Sequence, residues 1–175
     1  MNKSQCELRK KLVDKIAERD FDAVVEEVAY TWFNRICAIR FMEVNDYLPS
    51  RVRVLSSEKD GKNEPDLVTM APDVDLSFTE EEREKIYDLK MKGTTAASDE
   101  LFQKLFIKQC NALHEILPEL FEETQDYTEL LLDISYANKD DVIYMLVNQE
   151  DGIPEADFNV CLLYTSPSPR DRTRS

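Results

Sequence analysis

The chain has 175 residues, with 36 acidic against 22 basic side chains and a formal net charge of −14. So acidic a chain repels phosphate, which excludes a stand-alone nucleic-acid binder that works by bulk charge. The length allows one domain with a real core, and no apolar run approaches the ~18–20 residues of a membrane span.

The predicted elements are mainly helical. The first spans about Gln5 to Arg19, with Leu8, Leu12 and Ile16 four apart and Val13 beside them. Its other face carries Arg9, Lys10, Lys11 and Lys15, a solvated face or a surface that touches DNA or another part of the protein. The second starts near Asp20 or Asp22, either of which can cap free N–H groups, and runs to about Asn45. Phe21, Val25, Val28, Trp32, Ile36 and Ile39 recur every three or four residues, with Phe33 and Met42 widening the stripe. This helix is expected at the centre of the core. Glu27, Thr31 and Arg35 form a second, polar stripe that bridges along the helix or meets a partner.

Leu48-Pro49 ends the helix, because proline disfavours helical geometry in the residue before it. Arg51-Val52-Arg53-Val54 alternates with period two, which predicts a short β-like segment. Arg51 and Arg53 are then paired cations on an extended backbone, candidate phosphate contacts or an ordinary solvent-facing edge. From Ser56 to Ser77 the chain is polar, with Gly61, Pro65 and Pro72, and reads as a long loop.

Thr79-Glu80-Glu81-Glu82 is a capping box opening a helix that runs to about Met91 and breaks at Gly93. Ser98 is placed to cap the next helix, Asp99 to Leu117, whose apolar set is Leu101, Phe102, Leu105, Phe106, Cys110, Leu113 and Leu117. Pro118 ends or kinks it. Tyr127 to Ile134 is expected to be helical and buried through Leu130, Leu131, Leu132 and Ile134. Asn138 is placed to cap a last helix, Lys139 to Asn148, with Val142, Ile143, Met145 and Leu146 inside. The fold class expected is a mainly α, bundle-like domain with a long irregular loop and at most a short β-like segment.

Chemistry-bearing motifs are sparse. Three glycines, none in a Gly-x-Gly arrangement, offer no backbone cradle for a nucleotide or S-adenosylmethionine. One histidine, His114, rules out a readable Ser/His/Asp constellation and is a weak metal candidate without a partner at ligand spacing. Cys6, Cys37 and Cys110 show no Cys-x-x-Cys spacing, and scattered thiols fit a reducing cytoplasm. Glu119, Glu122, Glu123 and Asp126 read as solvated charge at a helix end rather than a metal or general-acid cluster. Catalytic, cofactor and metal residues are therefore all expected to be absent, with Arg51 and Arg53 as DNA-contact candidates.

Glu26 to Ser57, EEVAYTWFNRICAIRFMEVNDYLPSRVRVLSS, resembles the N-terminal helical region of PglX-type adenine-specific DNA methyltransferases of bacteriophage-exclusion (BREX) defence systems. Leu105 to Tyr136 resembles the next block of that family, and Lys62–Thr69 and Asp151–Phe158 resemble its shorter intervening pieces. The likeness is one of whole segments, since no single residue in it performs a reaction. The resemblance implies methyl transfer from S-adenosylmethionine to the exocyclic amine of adenine in a flipped base. It implies as partners the catalytic domain of the same parent chain, DNA through that parent, and other defence-system proteins. The glycine turn and the Asn-Pro-Pro-Tyr motif such enzymes need do not occur here. A helical protein–protein interaction module with no methylation role is the alternative.

The end of the chain, Cys161 to Asp171, CLLYTSPSPRD, resembles a transposase adapter from sequencing-library preparation translated in frame. On that reading residues 161–175 are a foreign, disordered tail. Residues 1–160 are then expected to be an N-terminal helical fragment of a larger methyltransferase. Setting aside Arg170, Arg172, Arg174 and Asp171 makes the remainder more acidic still.

Overall fold

The computed structural model describes residues 3–121, 127–148 and 150–159, with side chains from Cys6 onward. Helices are α1 (Lys3–Glu18), α2 (Phe21–Val44), α3 (Asp66–Met70), α4 (Glu80–Lys92), α5 (Thr95–His114), α6 (Val142–Val147) and α7 (Glu155–Phe158), with a 3-10 turn at Tyr127–Leu131. No strand occurs among the described residues, so the mainly α expectation holds. The adapter-like tail and the carboxylates Glu122, Glu123 and Asp126 lie outside the described residues.

α2 is the axis of the fold. Its 24 residues contain no glycine or proline, so nothing interrupts about 36 Å of helix at 1.5 Å per residue. Asn45 closes it: its backbone N–H and its side-chain amide both donate to the Phe41 carbonyl, at 3.2 and 2.8 Å. At the other end Asp20 occupies the cap position with φ 110° and makes no side-chain capping bond, contrary to the expected aspartate cap.

The inward face of α2 keeps Val28, Trp32, Ile36 and Ile39 of the expected stripe and departs from it at Phe21, Val25 and Phe33. Val24 (1% exposed), Val28, Trp32, Ile36 and Ile39 are buried, whereas Phe21 (59%), Val25 (41%) and Phe33 (51%) face outward. Val24 rather than Val25 keeps the four-residue step into Val28 and Trp32, and the sequence offers an apolar residue at both positions. Beyond Trp32 the helix is buried more fully round its circumference, taking in Arg35, Arg40 and Glu43.

α5 supplies the opposing wall through Leu101, Phe102, Leu105, Phe106, Cys110 and Leu113. Phe106 meets Trp32 at 6.1 Å between ring centroids, and Phe102 meets Tyr136 edge-on at 5.5 Å. The Trp32 indole N–H donates to the Thr128 carbonyl at 3.1 Å, so a large ring is buried without stranding its donor. The Arg35 guanidinium lies over the same ring, 4.9 Å from its centroid.

α4 lies along α5. Its capping box forms as expected: the Thr79 hydroxyl accepts from the Glu82 N–H, and the Glu82 carboxylate accepts from the Thr79 N–H at 2.7 Å. Gly93 ends the helix at φ 59°, a left-handed conformation that costs glycine nothing. α5 starts earlier than expected because Thr94, not Ser98, is its cap, accepting from the Ala97 N–H. It stops at His114, ahead of Pro118, and leaves Leu117 exposed.

Two other expectations are corrected and one is refined. The stretch from Ser56 to Ser77 is the expected long irregular segment apart from the short α3, and it is pinned: Leu67, Val68, Ala71, Val74 and Leu76 are all buried, and α3 packs on α5. These apolar residues are too widely spaced for a long helix, but they anchor an irregular path. Tyr127–Leu131 is a 3-10 turn with no buried residue, and the chain buries Leu132 and Ile134 just after it. The last expected helix shortens to α6 because Asp141, not Asn138, caps it by accepting from the Ile143 N–H. Met145 faces solvent there, and Asn138 instead accepts from the Asp140 N–H in the preceding turn.

Candidate functional site

Arg51 and Arg53, the sequence candidates for phosphate contact, lie in the passage from α2 to α3. The backbone there is not extended: Arg51 sits at φ 52°, and its N–H donates to the Leu48 carbonyl at 3.0 Å. That turn replaces the expected β-like segment, because Val52, Val54 and Leu55 all enter the core, which strict alternation would forbid.

The two arginines separate in role. Arg51 is exposed, and no ion pair involves it among the described residues. Arg53 is half-buried and ion-paired with Glu155 of α7. Burial by itself lowers the Arg53 guanidinium, but the hydrogen bond and charge of Glu155 outweigh it and raise the group above its ordinary value. Burial by itself raises the Glu155 carboxyl, and the bonds and charges of Arg53 and Arg40 outweigh it and hold the group below the usual range.

Beneath them is a buried polar clamp that sequence reasoning missed. Arg40 donates to Glu43 Oε1 at 2.7 Å and to Ser56 Oγ at 3.1 Å. The other oxygen of Glu43 accepts the backbone N–H groups of Val54 and Leu55, both at 2.8 Å. The Ser56 hydroxyl donates to Glu43 Oε1 at 3.0 Å. One carboxylate thus satisfies two loop amides that would otherwise be buried without acceptors. Arg40 also reaches Glu155 at 3.4 Å and lies over the Phe158 ring, 5.6 Å from its centroid. Asn45 donates to the Phe158 carbonyl at 2.9 Å. The clamp binds α2, the 53–57 passage and α7 into one unit. The only signal for it in the sequence is a pair of charges, Arg40 and Glu43, one turn apart inside the otherwise apolar stretch from Ile36 to Val44.

The remaining chemistry-bearing side chains stand apart from this region. His114 Nδ1 lies 2.6 Å from the Phe121 carbonyl, stapling the end of α5 to the chain that follows. Cys110 is fully buried among core side chains, and burial pushes its thiol up to about 12. Cys37 is raised for the same reason, and Cys6 is exposed. Glu119 is exposed. Among the described residues no three His, Cys, Asp or Glu side chains gather where they could hold a metal ion. No helix among them is long and apolar enough to cross a membrane.

No protein-family model matches the chain. It is similar to the adenine-specific methyltransferase PglX of Lacticaseibacillus casei (strain Zhang), 49% identical over 140 residues, which are 78% of this chain and 11% of that protein. It is also similar to the adenine-specific methyltransferase BrxX of Escherichia coli O9:H4 (strain HS), 36% identical over 150 residues, 86% of this chain and 12% of that protein. The chain therefore spans about an eighth or less of the length of the curated relatives it matches. Over that segment it is homologous to the PglX and BrxX adenine-specific methyltransferases.

Proposed function

We propose that this chain is the non-catalytic, N-terminal helical part of a site-specific DNA adenine methyltransferase of the BREX type. The observation that carries the reading is the 49% identity to PglX over 140 residues. The parent enzyme transfers a methyl group from S-adenosylmethionine to the exocyclic amine of adenine, a cytoplasmic reaction that marks host DNA in anti-phage defence. This segment supplies neither the glycine turn that holds the cofactor nor the Asn-Pro-Pro-Tyr motif that holds the flipped base, so both belong elsewhere in the parent. Its part is to brace the catalytic domain. The Arg40–Glu43 clamp supports that role, because it makes a stiff body from segments distant in sequence.

Direct DNA contact falls to Arg51, whose side chain projects outward from a backbone fixed by the clamp. Arg53, its charge matched by Glu155, holds that backbone in place. Most of the attraction for DNA comes from the rest of the parent, given the acidity of this segment.

The test is to express the uninterrupted gene and this chain side by side. The gene product is expected to methylate adenine in DNA. The chain alone is expected neither to methylate nor to bind S-adenosylmethionine. Micromolar cofactor binding by the chain, or an intact gene product without methyltransferase activity, would sink the reading.

A further inference from the structure

The N-terminal half of α2 has a second apolar face. Phe21, Val25, Ala29 and Phe33 follow at four-residue spacing, one strip round from the buried Val24-Val28-Trp32 line, and all four are exposed. Between Val25, Ala29 and Phe33 of this strip and residues 131–134 runs an open groove of about 690 Å³, and Phe21 continues the strip beyond its lining. Leu131 (40% exposed) and Val142 form part of the facing wall, and Glu26 and Asp133 are the charged residues lining it. Aromatic and aliphatic side chains aligned along one helix face and left in water raise the free energy of the isolated domain, so a surface of this kind marks a contact.

We propose that this groove seats an apolar segment with basic flanks from the remainder of the methyltransferase polypeptide. The inference rests on the methyltransferase reading and gives the bracing role its surface. Two observations favour this occupant. The matched region is 11% and 12% of its relatives, so in a polypeptide of that build most of the enzyme is tethered to this groove. Tethering raises effective concentration to the millimolar range, on the order of what a modest apolar contact requires. Charge is the second. The groove carries Glu26 and Asp133 in a chain of net charge −14, so a second copy would bring carboxylates against carboxylates, whereas lysine or arginine beside an apolar ridge would meet both.

The groove is tested by hydroxyl-radical footprinting of the chain alone and of the uninterrupted gene product, read at Phe21 and Phe33, with DNA methylation by the gene product measured in parallel. Both rings are expected to be oxidised readily in the chain alone and at least fivefold more slowly in the gene product. Val25→Asp with Phe33→Asp should leave the melting temperature of the chain unchanged, since both side chains are exposed. In the gene product the same pair should restore rapid labelling of Phe21. Equal labelling of Phe21 and Phe33 in both proteins overturns the docking proposal, and active methylation in that sample leaves the methyltransferase reading standing. Protected rings without methylation sink that reading instead and retain the docking site. Sedimentation of the chain as a dimer that Phe33→Asp dissociates would make a second copy the occupant and overturn the proposal.

Discussion

Arg40 and Glu43, one turn apart on α2, form an ion pair at 2.7 Å in which both side chains are almost wholly sealed from water. Desolvating two charges costs several kcal/mol, which their mutual attraction offsets only with good geometry and further hydrogen bonds. Here those bonds come from Val54, Leu55 and Ser56. Glu43→Ala removes the nearest carboxylate from a buried guanidinium and the acceptor from two buried amides, so it should cost about 3–5 kcal/mol in urea denaturation. Arg40→Met with Glu43→Ala should not recover this loss, because the Val54 and Leu55 amides still lack an acceptor. A Glu43→Ala chain less than about 1 kcal/mol below wild type would refute the clamp.

Trp32 and Phe33 are adjacent aromatic residues with opposite exposure. Trp32 packs on Phe106 and donates to Thr128. Its truncation to alanine should cost about 3–5 kcal/mol, a large share of the ~5–15 kcal/mol that holds a domain of this size. Phe33→Ala should stay within about 0.5 kcal/mol in the chain alone. Thermal unfolding of the two variants checks which face of α2 is inward, and equal losses would return Phe33 to the core.

Arg51 holds a left-handed backbone at φ 52°, a conformation that costs a non-glycine residue roughly 1–2 kcal/mol. Arg51→Gly should therefore leave the chain as stable or slightly more so. Arg53→Ala should lower stability by about 1 kcal/mol through loss of a charged hydrogen bond. In the methyltransferase proposed above as the parent, Arg51→Gly should weaken DNA binding and reduce the slope of log affinity against log salt by about 1. Unchanged affinity at every salt concentration would remove Arg51 from the DNA interface.

Acid should unpick the same region. The Glu155 carboxyl titrates below its ordinary 4.5 because Arg53 and Arg40 outweigh the effect of burial. Above that ordinary value it is ionised in both folded and unfolded chains, and its stabilising contribution is complete. As pH falls below about 4.5 the unfolded chain takes up the proton first, and the contribution is lost through the lower folded value. Glu155→Gln should lower stability at pH 7 and flatten the acid limb of the melting-temperature profile. An unchanged acid limb would mean that Arg53 does not hold Glu155 in solution.

Helix existence was legible wherever the apolar spacing was long: α2 and α5 lie close to where periodicity puts them. The capping box at Thr79 was legible because both partners are three residues apart. Facing was less so. Val24 and Val25 are chemically alike, and only the tertiary position of α5 selects the first. Thr94 and Asp141 won their caps from Ser98 and Asn138, which are equally capable chemically, through packing that no local pattern encodes. Arg51 and Arg53 looked equivalent as alternating cations, and they diverge because Glu155, a hundred residues on, pairs with one. The clamp was the least legible, since its acceptor and donors come from α2 and from backbone amides that carry no sequence signature.

The fold is closed by ties between residues far apart along the chain: Trp32 with Thr128, 96 positions on, Arg53 with Glu155, 102 on, and Asn45 with Phe158, 113 on. Loops of that length must close before these ties contribute, which slows folding. During synthesis on the ribosome, at roughly 5–20 residues per second, α2 emerges about 5–20 s before its partners near residue 128 and later. Until α5 emerges Trp32 lacks the Phe106 ring it packs on, and its indole N–H waits longer still for the Thr128 carbonyl. A nascent polypeptide in this condition is a natural client for holding chaperones, and its yield in a cell should depend on them more than its finished stability suggests.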